Sequence, residues 1–338
     1  MPIDLAIGKR QLALFAGSLA AVLVLLAAPQ LLGGIVADGI GGLSEASVAW
    51  LWLAAGCFAG TLLGSAAAWR FALVRCGAET TVADTAARYC TGSLVNAVAP
   101  ARVGSAVRIG LLSRTLQGEG RLWTVGGVAA SVAALRALWL ALVLALASAS
   151  GVLPRWPIAV LLLGVLVAGV VAWRARDSEP GTRAAHVFDV FRILGRCPRA
   201  AARLGGLVGL AMGAKILAAA AVAASLGVER PLAAALLVIP ALDLAGLLPL
   251  TPGNVGVASA AVAFALGAHG APTDVAVAAG IAFGAVETLT TLACGTASLL
   301  YFASRRAVDR RWQTAVAASA GCVLVAGAFG ATVIFPLV

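Results

Sequence analysis

The sequence predicts an all-α polytopic membrane protein, built as an inverted-topology repeat with two interrupted, re-entrant-like helical hairpins. Three observations predict this class: the composition, the length of the apolar runs, and a proline–glycine motif that recurs. Of the 338 residues, 62% are hydrophobic and 11% are charged, and the mean hydropathy is +1.01. Soluble domains carry about 25% charged residues, so the composition excludes a soluble enzyme, a disordered chain and a nucleic-acid-binding module. The apolar runs are continuous rather than alternating, which excludes a membrane β-barrel.

Seven apolar stretches are candidates for complete crossings of the hydrocarbon core, which takes about 20 helical residues. They cover residues 11–28, 47–69, 122–150, 157–173, 204–226, 275–302 and 313–336. Two further stretches, 80–114 and 231–270, are apolar but interrupted by Pro, Gly and Asn. The first span follows Lys9 and Arg10, and its apolar run is longer than the core of a secretory signal, so it is expected to stay as a membrane helix.

Basic residues predict the orientation of the chain. If Lys9 and Arg10 are cytoplasmic, the seven spans place 20 of the 24 lysines and arginines on that side, as the positive-inside rule requires. The sequence therefore predicts a multi-pass cell-membrane protein with a cytoplasmic N-terminus and an outside C-terminus. The basic loop 174–203 has two interpretations: it rests on anionic lipid headgroups, or it docks a partner protein.

A short motif recurs along the chain. Pro100 and Pro252 are 152 residues apart, and PARVG at the first matches PGNVG at the second. The same offset relates 47–69 to 204–226, 122–150 to 275–302 and 157–173 to 313–336. An odd number of crossings separates the two units, so they are predicted to be inverted. The predicted division is an extra helix and outer loop at 1–46, repeat 1 at 47–175, the basic cytoplasmic loop at 176–203, and repeat 2 at 204–338.

Each hairpin is expected to break at its proline and glycine, at 99–104 and 249–256. A broken backbone in hydrocarbon must be covered by protein or line a wet cavity, and half-helix N-termini attract anions. The alternative is that both breaks are loops between short, tilted spans. The predicted substrate-binding residues flank the breaks and are Asn96, Pro100, Arg102, Gly104, Arg108, Thr251, Pro252, Gly253, Asn254 and Gly256. The two arginines suit a lipid phosphate, although arginines can also snorkel to the interface.

Charges inside spans are costly and normally face a partner or a cavity. Arg136, Lys215, Asp243 and Glu287 are therefore predicted gating or ion-coupling residues. The repeat offset places Arg136 opposite residue 288, which predicts a pair between Arg136 and Glu287, either structural or gating. Lys215 and Asp243 are expected to pair with each other, or Asp243 carries a coupling proton.

These motifs resemble the lysylphosphatidylglycerol synthase transmembrane-domain family, also called flippase-like. The resemblance rests on Asn96, Pro100, Arg102, Gly104 and Arg108, followed by Pro249, Pro252, Gly253 and Gly256. It implies movement of an anionic lipid between leaflets, such as an aminoacyl-phosphatidylglycerol or a polyprenyl-phosphate-linked lipid. Many relatives have a second glycine where Asn254 stands and an acid soon after the last motif glycine. Here Val257, Ala258 and Ser259 follow, so substrate or coupling is expected to differ.

The sequence shows no motif of a catalytic site. It lacks GxSxG, HExxH, a P-loop and paired carboxylates, and its six cysteines are scattered without metal-ligand spacing. We therefore expect a lipid flippase or transporter that is not an enzyme, needs no cofactor and binds anionic lipids but no nucleic acid. The alternatives are a membrane-embedded glycosyltransferase acting on a polyprenyl-phosphate lipid, and a non-transporting membrane subunit of a lipid synthase. A lipid-synthesising enzyme or a glycosyltransferase is the expected kind of partner protein.

Overall fold

The computed structural model describes residues 46–99, 103–118, 120–149, 183–246 and 255–304, together with the helical residues 159, 163, 164 and 166. Within these ranges all regular structure is α-helical. The predicted spans 11–28 and 313–336, and most of 157–173, lie outside the described residues. The helices of the described ranges are, in chain order, α1 (Val48–Arg75), α2 (Val82–Val98), α3 (Val103–Ser113), α4 (Arg121–Ala149), α5 (Arg183–Gly195), α6 (Pro198–Ser225), α7 (Pro231–Ala245), α8 (Val255–Ala268) and α9 (Thr273–Ser304).

Four of these helices, α1, α4, α6 and α9, are long and apolar enough to cross a membrane. They confirm the predicted spans 47–69, 122–150, 204–226 and 275–302. The largest boundary differences are six residues: α1 ends at Arg75 rather than at 69, and α6 begins at Pro198 rather than at 204. Proline suits the first position of a helix because the N–H it lacks would have no partner there. The basic loop also contains helix α5, which the sequence reading did not predict.

The pair α1 and α6 runs antiparallel through the protein. The backbone N–H of Ser47, before α1, donates to the carbonyl of Ser225, at the end of α6, at 2.9 Å. Small residues let the two backbones approach closely: a Cβ added at Gly64 would lie 3.3 Å from the Cβ of Ala211. This pair gives the fold a tight central axis.

The two interrupted stretches form two pairs of short helices, α2 with α3 and α7 with α8. Helices α3, α7 and α8 have 11, 15 and 14 residues. At 1.5 Å per residue they are about 17 to 23 Å long, less than the hydrocarbon core of about 30 Å. Both pairs are interrupted close to the predicted breaks, because α2 ends at Val98 and α7 at Ala245.

The two short-helix pairs open at opposite ends of the α1–α6 pair. After α1 and α3, the backbone N–H of Glu79 donates to the carbonyl of Thr115 at 3.3 Å. After α6 and α8, the ring Nε2 of His269 lies 3.4 Å from the carbonyl of Glu229. Since α1 and α6 are antiparallel, these contacts mark the two ends of the molecule.

Buried apolar side chains stabilise both ends. At one end Phe58 of α1 packs edge to face against Phe283 of α9, with ring centroids 5.0 Å apart. At the other end Val190 of α5 packs against α4 at Gly127, where an added Cβ would lie 2.9 Å from a Val190 methyl group. Helix α5 is therefore held against the ends of the membrane-length helices rather than forming a separate domain.

Candidate functional site

Helices α2 and α3 cross at two glycines, Gly92 and Gly104. A Cβ added at Gly92 would lie 2.7 Å from the Cβ of Arg108, and one added at Gly104 would overlap the carbonyl oxygen of Gly92. The absence of a side chain at both positions is what allows this approach. Gly104, which was predicted as a substrate-binding residue at the break, is the second residue of α3 and lies in the contact between α2 and α3.

The side chain of Asn96 closes the first short-helix pair. Its Oδ1 accepts the backbone N–H of Ser105 at 3.1 Å, and its Nδ2 donates to the Ser105 hydroxyl at 3.3 Å. Because Ser105 is in the first turn of α3, Asn96 caps one of the N–H groups that was expected to be free for an anion. Asn96, which was predicted to bind substrate, therefore holds α3 against α2 in this structure.

Arg108 lies between α2 and α3. Its Nη2 donates to the hydroxyl of Ser93 at 2.8 Å, and its guanidinium carbon lies 3.9 Å from the ring centroid of Tyr89. Its Nε is buried without a hydrogen-bond partner. No carboxylate in the described part of the chain forms an ion pair with it. An aromatic ring and a hydroxyl position the guanidinium. No described carboxylate neutralises its charge, so an anionic ligand could do so.

The residues of the two breaks are only partly described. Pro100, Arg102, Thr251, Pro252, Gly253 and Asn254 lie outside the described residues. Gly256 is the second residue of α8, as Gly104 is of α3, and a Cβ added there would meet nothing within 4 Å. The equivalent glycines of the two motifs therefore differ, since one is at a close contact and the other is in open space.

A carboxylate on α7 joins three helices. Asp243 accepts from Nη2 of Arg136 on α4, and the Arg136 Nε also donates to it at 3.4 Å. The Nζ of Lys215, on α6, lies 4.0 Å from the same carboxylate. The side chains of Asp243 and Lys215 are each 15% exposed, whereas that of Arg136 is 49% exposed. The predicted contact between Lys215 and Asp243 is present. Arg136 is a second cation at the same carboxylate and lies closer to it than Lys215 does.

The predicted pair between Arg136 and Glu287 is not formed. Glu287 is in α9, whereas α4 packs against α7 and makes no extensive contact with α9. Equal depth in two equivalent helices does not make them neighbours, and the nearest acid on the packed neighbour is Asp243. Glu287 still lies near enough to contribute to the electrostatic environment of Arg136.

Arg136 is near the middle of the 29-residue apolar helix α4, yet half of its side chain is exposed. A charged side chain at the centre of a lipid-facing helix costs roughly 2.5–3.5 kcal/mol on insertion scales. That cost is avoided if the exposed half faces water or a polar ligand.

The described residues contain no group of three or more His, Cys, Asp or Glu side chains that could hold a metal ion.

The family described as the lysylphosphatidylglycerol synthase TM region matches residues 11–295. The chain belongs to this family. The match includes both short-helix pairs and all four membrane charges, and it confirms the resemblance inferred from the proline–glycine motifs. A search of curated proteins found no match.

Within this lysylphosphatidylglycerol synthase TM region, the structure adds site residues that the sequence reading missed. Tyr89 and Ser93 are one helical turn apart on α2 and hold Arg108, and Ser105 receives the Asn96 cap. The spacing of Tyr89 and Ser93 was a usable signal, since residues four apart share a helix face. No sequence pattern indicated that this face would meet Arg108.

Proposed function

We propose that this protein is a lipid transporter that moves an anionic, phosphate-bearing lipid between leaflets. An aminoacyl-phosphatidylglycerol or a polyprenyl-phosphate-linked lipid fits the proposal. The observation that carries it is the half-exposed side chain of Arg136, a charged residue in the middle of a membrane-length helix. A protein that kept this charge for structure alone would bury it with its acid partner, because exposure to lipid is costly.

The charges around Arg136 support an anionic ligand. Arg136 and Lys215 share the single carboxylate of Asp243, and Glu287 makes no ion pair with them in the described structure. The ion-paired group itself has two cations and one anion, and Glu287 on α9 offsets part of this charge from a greater distance. Asp243 occupies one side of the Arg136 guanidinium, and the exposed part remains open to a phosphate, which binds arginine forks well.

The helix arrangement supports an inverted repeat with two re-entrant hairpins. Helices α3 and α8 begin at 103 and 255, and helices α4 and α9 begin at 121 and 273, both 152 residues apart. The packing of α2 against α9 has its counterpart in the packing of α7 against α4. The two short-helix pairs open at opposite ends, and three of their four helices, α3, α7 and α8, are too short to cross, as inverted hairpins require. This supports repeat 1 at 47–175 and repeat 2 at 204–338.

In this proposal the headgroup moves through a wet cleft between the two breaks, and the acyl chains stay in the bilayer. Arg108 and Arg102 would receive the phosphate in the first hairpin, with Thr251, Pro252, Gly253, Asn254 and Gly256 lining the second break. Arg136, Lys215, Asp243 and Glu287 would act at the midpoint as gating or coupling residues. Support for Arg108 comes from its charge, which no described carboxylate neutralises.

The proposal also includes the membrane location of the protein and the kind of enzyme that supplies its lipid. We place the protein in the cell membrane with a cytoplasmic N-terminus and an outside C-terminus, on the distribution of its arginines. We also propose that it has no transferase activity of its own and receives its lipid from a lipid-synthesising or glycosyltransferase partner. The engagement of Asp243 by two cations supports this, because the carboxylate is already occupied by ion pairs.

The test is lipid translocation in proteoliposomes that contain fluorescent phosphatidylglycerol, measured by quenching from outside. We expect Arg136→Gln to slow translocation at least tenfold, because it removes the exposed guanidinium. Arg121→Gln is the matched control, since Arg121 is exposed at the end of the same helix, and it should keep the rate. Equal rates for both variants and the wild type would overturn the proposed site.

The alternative activities have their own outcomes. Transfer of a labelled sugar to a polyprenyl phosphate by the purified protein would overturn the transporter in favour of a glycosyltransferase. Co-purification with a lipid synthase, together with no translocation of either lipid class, would indicate a non-transporting subunit.

A further inference from the structure

Four exposed arginines gather where α1 ends and α6 begins. Arg75 is the last residue of α1, Arg196 precedes α6, and Arg199 and Arg203 are in the first two turns of α6. We call these four residues the arginine patch. They are far from the membrane charges around Asp243 and are not used in the proposed transport.

Contacts across the two helices hold the patch together. The guanidinium carbons of Arg203 and Arg75 lie 5.2 and 5.9 Å from the centroid of the same ring, that of Phe71. The charge of Arg75 also acts on the thiol of Cys197, the residue that precedes α6. The two helices thus bring Arg75 and Arg203 to one ring, even though like charges repel each other, and Arg196 and Arg199 lie in the same segment as Cys197.

The described acids do not neutralise this charge. Asp84 pairs with Arg88, Asp189 pairs with Arg192, and Glu79 forms no ion pair with the patch. The first turn of α6 has no acidic residue, and the partial positive charge of a helix start adds to that of the arginines. In the described structure the patch is therefore an unbalanced positive surface.

The position of the patch indicates its counter-charge. Since α1 and α6 are membrane-length helices, their ends lie at the level of the headgroups. Basic residues at this level gain about 1 kcal/mol each from an anionic leaflet, and arginine matches phosphate oxygens bidentately. We propose that the arginine patch binds the phosphates of anionic phospholipids in the adjoining leaflet and so ties the end of α1 to the start of α6.

A neighbouring thiol responds to the same environment. The pKa of Cys197 is lowered from its ordinary value because the backbone N–H of Ala200 stabilises the thiolate, with smaller contributions from the backbone N–H of Arg199 and from the charge of Arg75. This location therefore favours a negatively charged atom, as a bound phosphate would require.

The test compares the full chain in nanodiscs of phosphatidylcholine alone and of phosphatidylcholine mixed with phosphatidylglycerol. We expect phosphatidylglycerol to raise the thermal midpoint of the wild type, and native mass spectrometry to show retained phosphatidylglycerol. Arg199→Gln combined with Arg203→Gln should lose most of the shift, with retention about fivefold weaker per arginine. Arg199→Lys combined with Arg203→Lys keeps the charge and should keep most of the shift, which separates binding from misfolding.

The control is Arg230→Gln, because Arg230 is exposed just beyond the opposite end of α6. It should leave both readouts unchanged. The proposal is overturned if the double glutamine variant keeps the full phosphatidylglycerol shift, or if the wild type is equally stable in both nanodiscs, as expected of a surface that serves an acidic protein. Inorganic phosphate added to the phosphatidylcholine nanodiscs should give no shift, and an equal shift would overturn the assignment to a lipid.

Discussion

The Asp243 carboxylate on α7 is shared by two cations from neighbouring helices, Arg136 of α4 and Lys215 of α6. Because this carboxylate links three helices, its loss should affect stability as well as transport. The contact of Asp243 with Lys215 was predicted, whereas that with Arg136 was not, and it changes which variants are informative.

Replacing Asp243→Asn is expected to lower the thermal midpoint, because it leaves the mostly buried Lys215 ammonium without an acid partner. Leaving a buried polar group unsatisfied costs about 1–3 kcal/mol. Adding Lys215→Met to this variant should recover part of the loss, since both charges are then gone. The measurement is thermal unfolding of the single and double variants in the same detergent. Strictly additive losses would show that Lys215 and Asp243 are not coupled.

Gly104→Ala is expected to separate α2 from α3, because the new methyl group would overlap the Gly92 carbonyl oxygen. Overpacking of this kind costs about 1–3 kcal/mol. Gly256→Ala is the matched control at the equivalent motif position, where an added Cβ meets nothing within 4 Å. Thermal unfolding of the two variants checks the prediction, and equal midpoints would contradict the close crossing at Gly104.

Asn96→Ala should destabilise the first short-helix pair by about 1 kcal/mol, the usual cost of losing a helix cap. The reason is that Oδ1 of Asn96 accepts the backbone N–H of Ser105. Ser105→Ala removes only the hydroxyl partner and leaves that cap in place, so its loss should be smaller. The comparison again uses thermal midpoints. A larger effect of Ser105→Ala would refute the capping role.

The thiol of Cys197 should stay reactive at lower pH than an ordinary cysteine. Its pKa is lowered because the N–H of Ala200 stabilises the thiolate, and the thiolate is the form that reacts. Alkylation should therefore slow only when the pH falls below this lowered pKa. The nearby Cys76 is the contrasting case, because burial raises the pKa of its thiol. Rates of maleimide labelling against pH, in two single-cysteine proteins, check both directions.

The same labelling reports the orientation of the chain. If the basic loop is cytoplasmic, a membrane-impermeant maleimide should label Cys197 in inverted membrane vesicles and not in right-side-out spheroplasts. Labelling only in spheroplasts would reverse the proposed topology.

The long helices could be predicted from the sequence because crossing a membrane requires a local property, an apolar run of sufficient length. The ends of α2 at Val98 and of α7 at Ala245 lie close to the predicted breaks at 99–104 and 249–256, which were inferred because proline removes a backbone donor. Helix α5 was missed because its apolar residues Val190 and Leu194 are spaced for packing on α4 and do not form a membrane-length run.

Tertiary relationships were harder to predict. The repeat offset placed Arg136 and Glu287 at equal depth, but depth does not determine which helices touch. The partner of Arg136 depends on the packing of α4 against α7, which is a long-range contact. The contact of Asn96 with Ser105 depends likewise on the close approach of α3 to α2. Two glycines allow this approach, and no local sequence pattern predicts it.

The close approach of Gly64 to Ala211 leaves no room for a larger side chain between α1 and α6 at this level. In the proposed transport, such a contact would resist lengthwise sliding of the two helices and favour tilting of one against the other. Because the two short-helix pairs open at opposite ends of this helix pair, the same tilt would change access to the two ends in opposite directions.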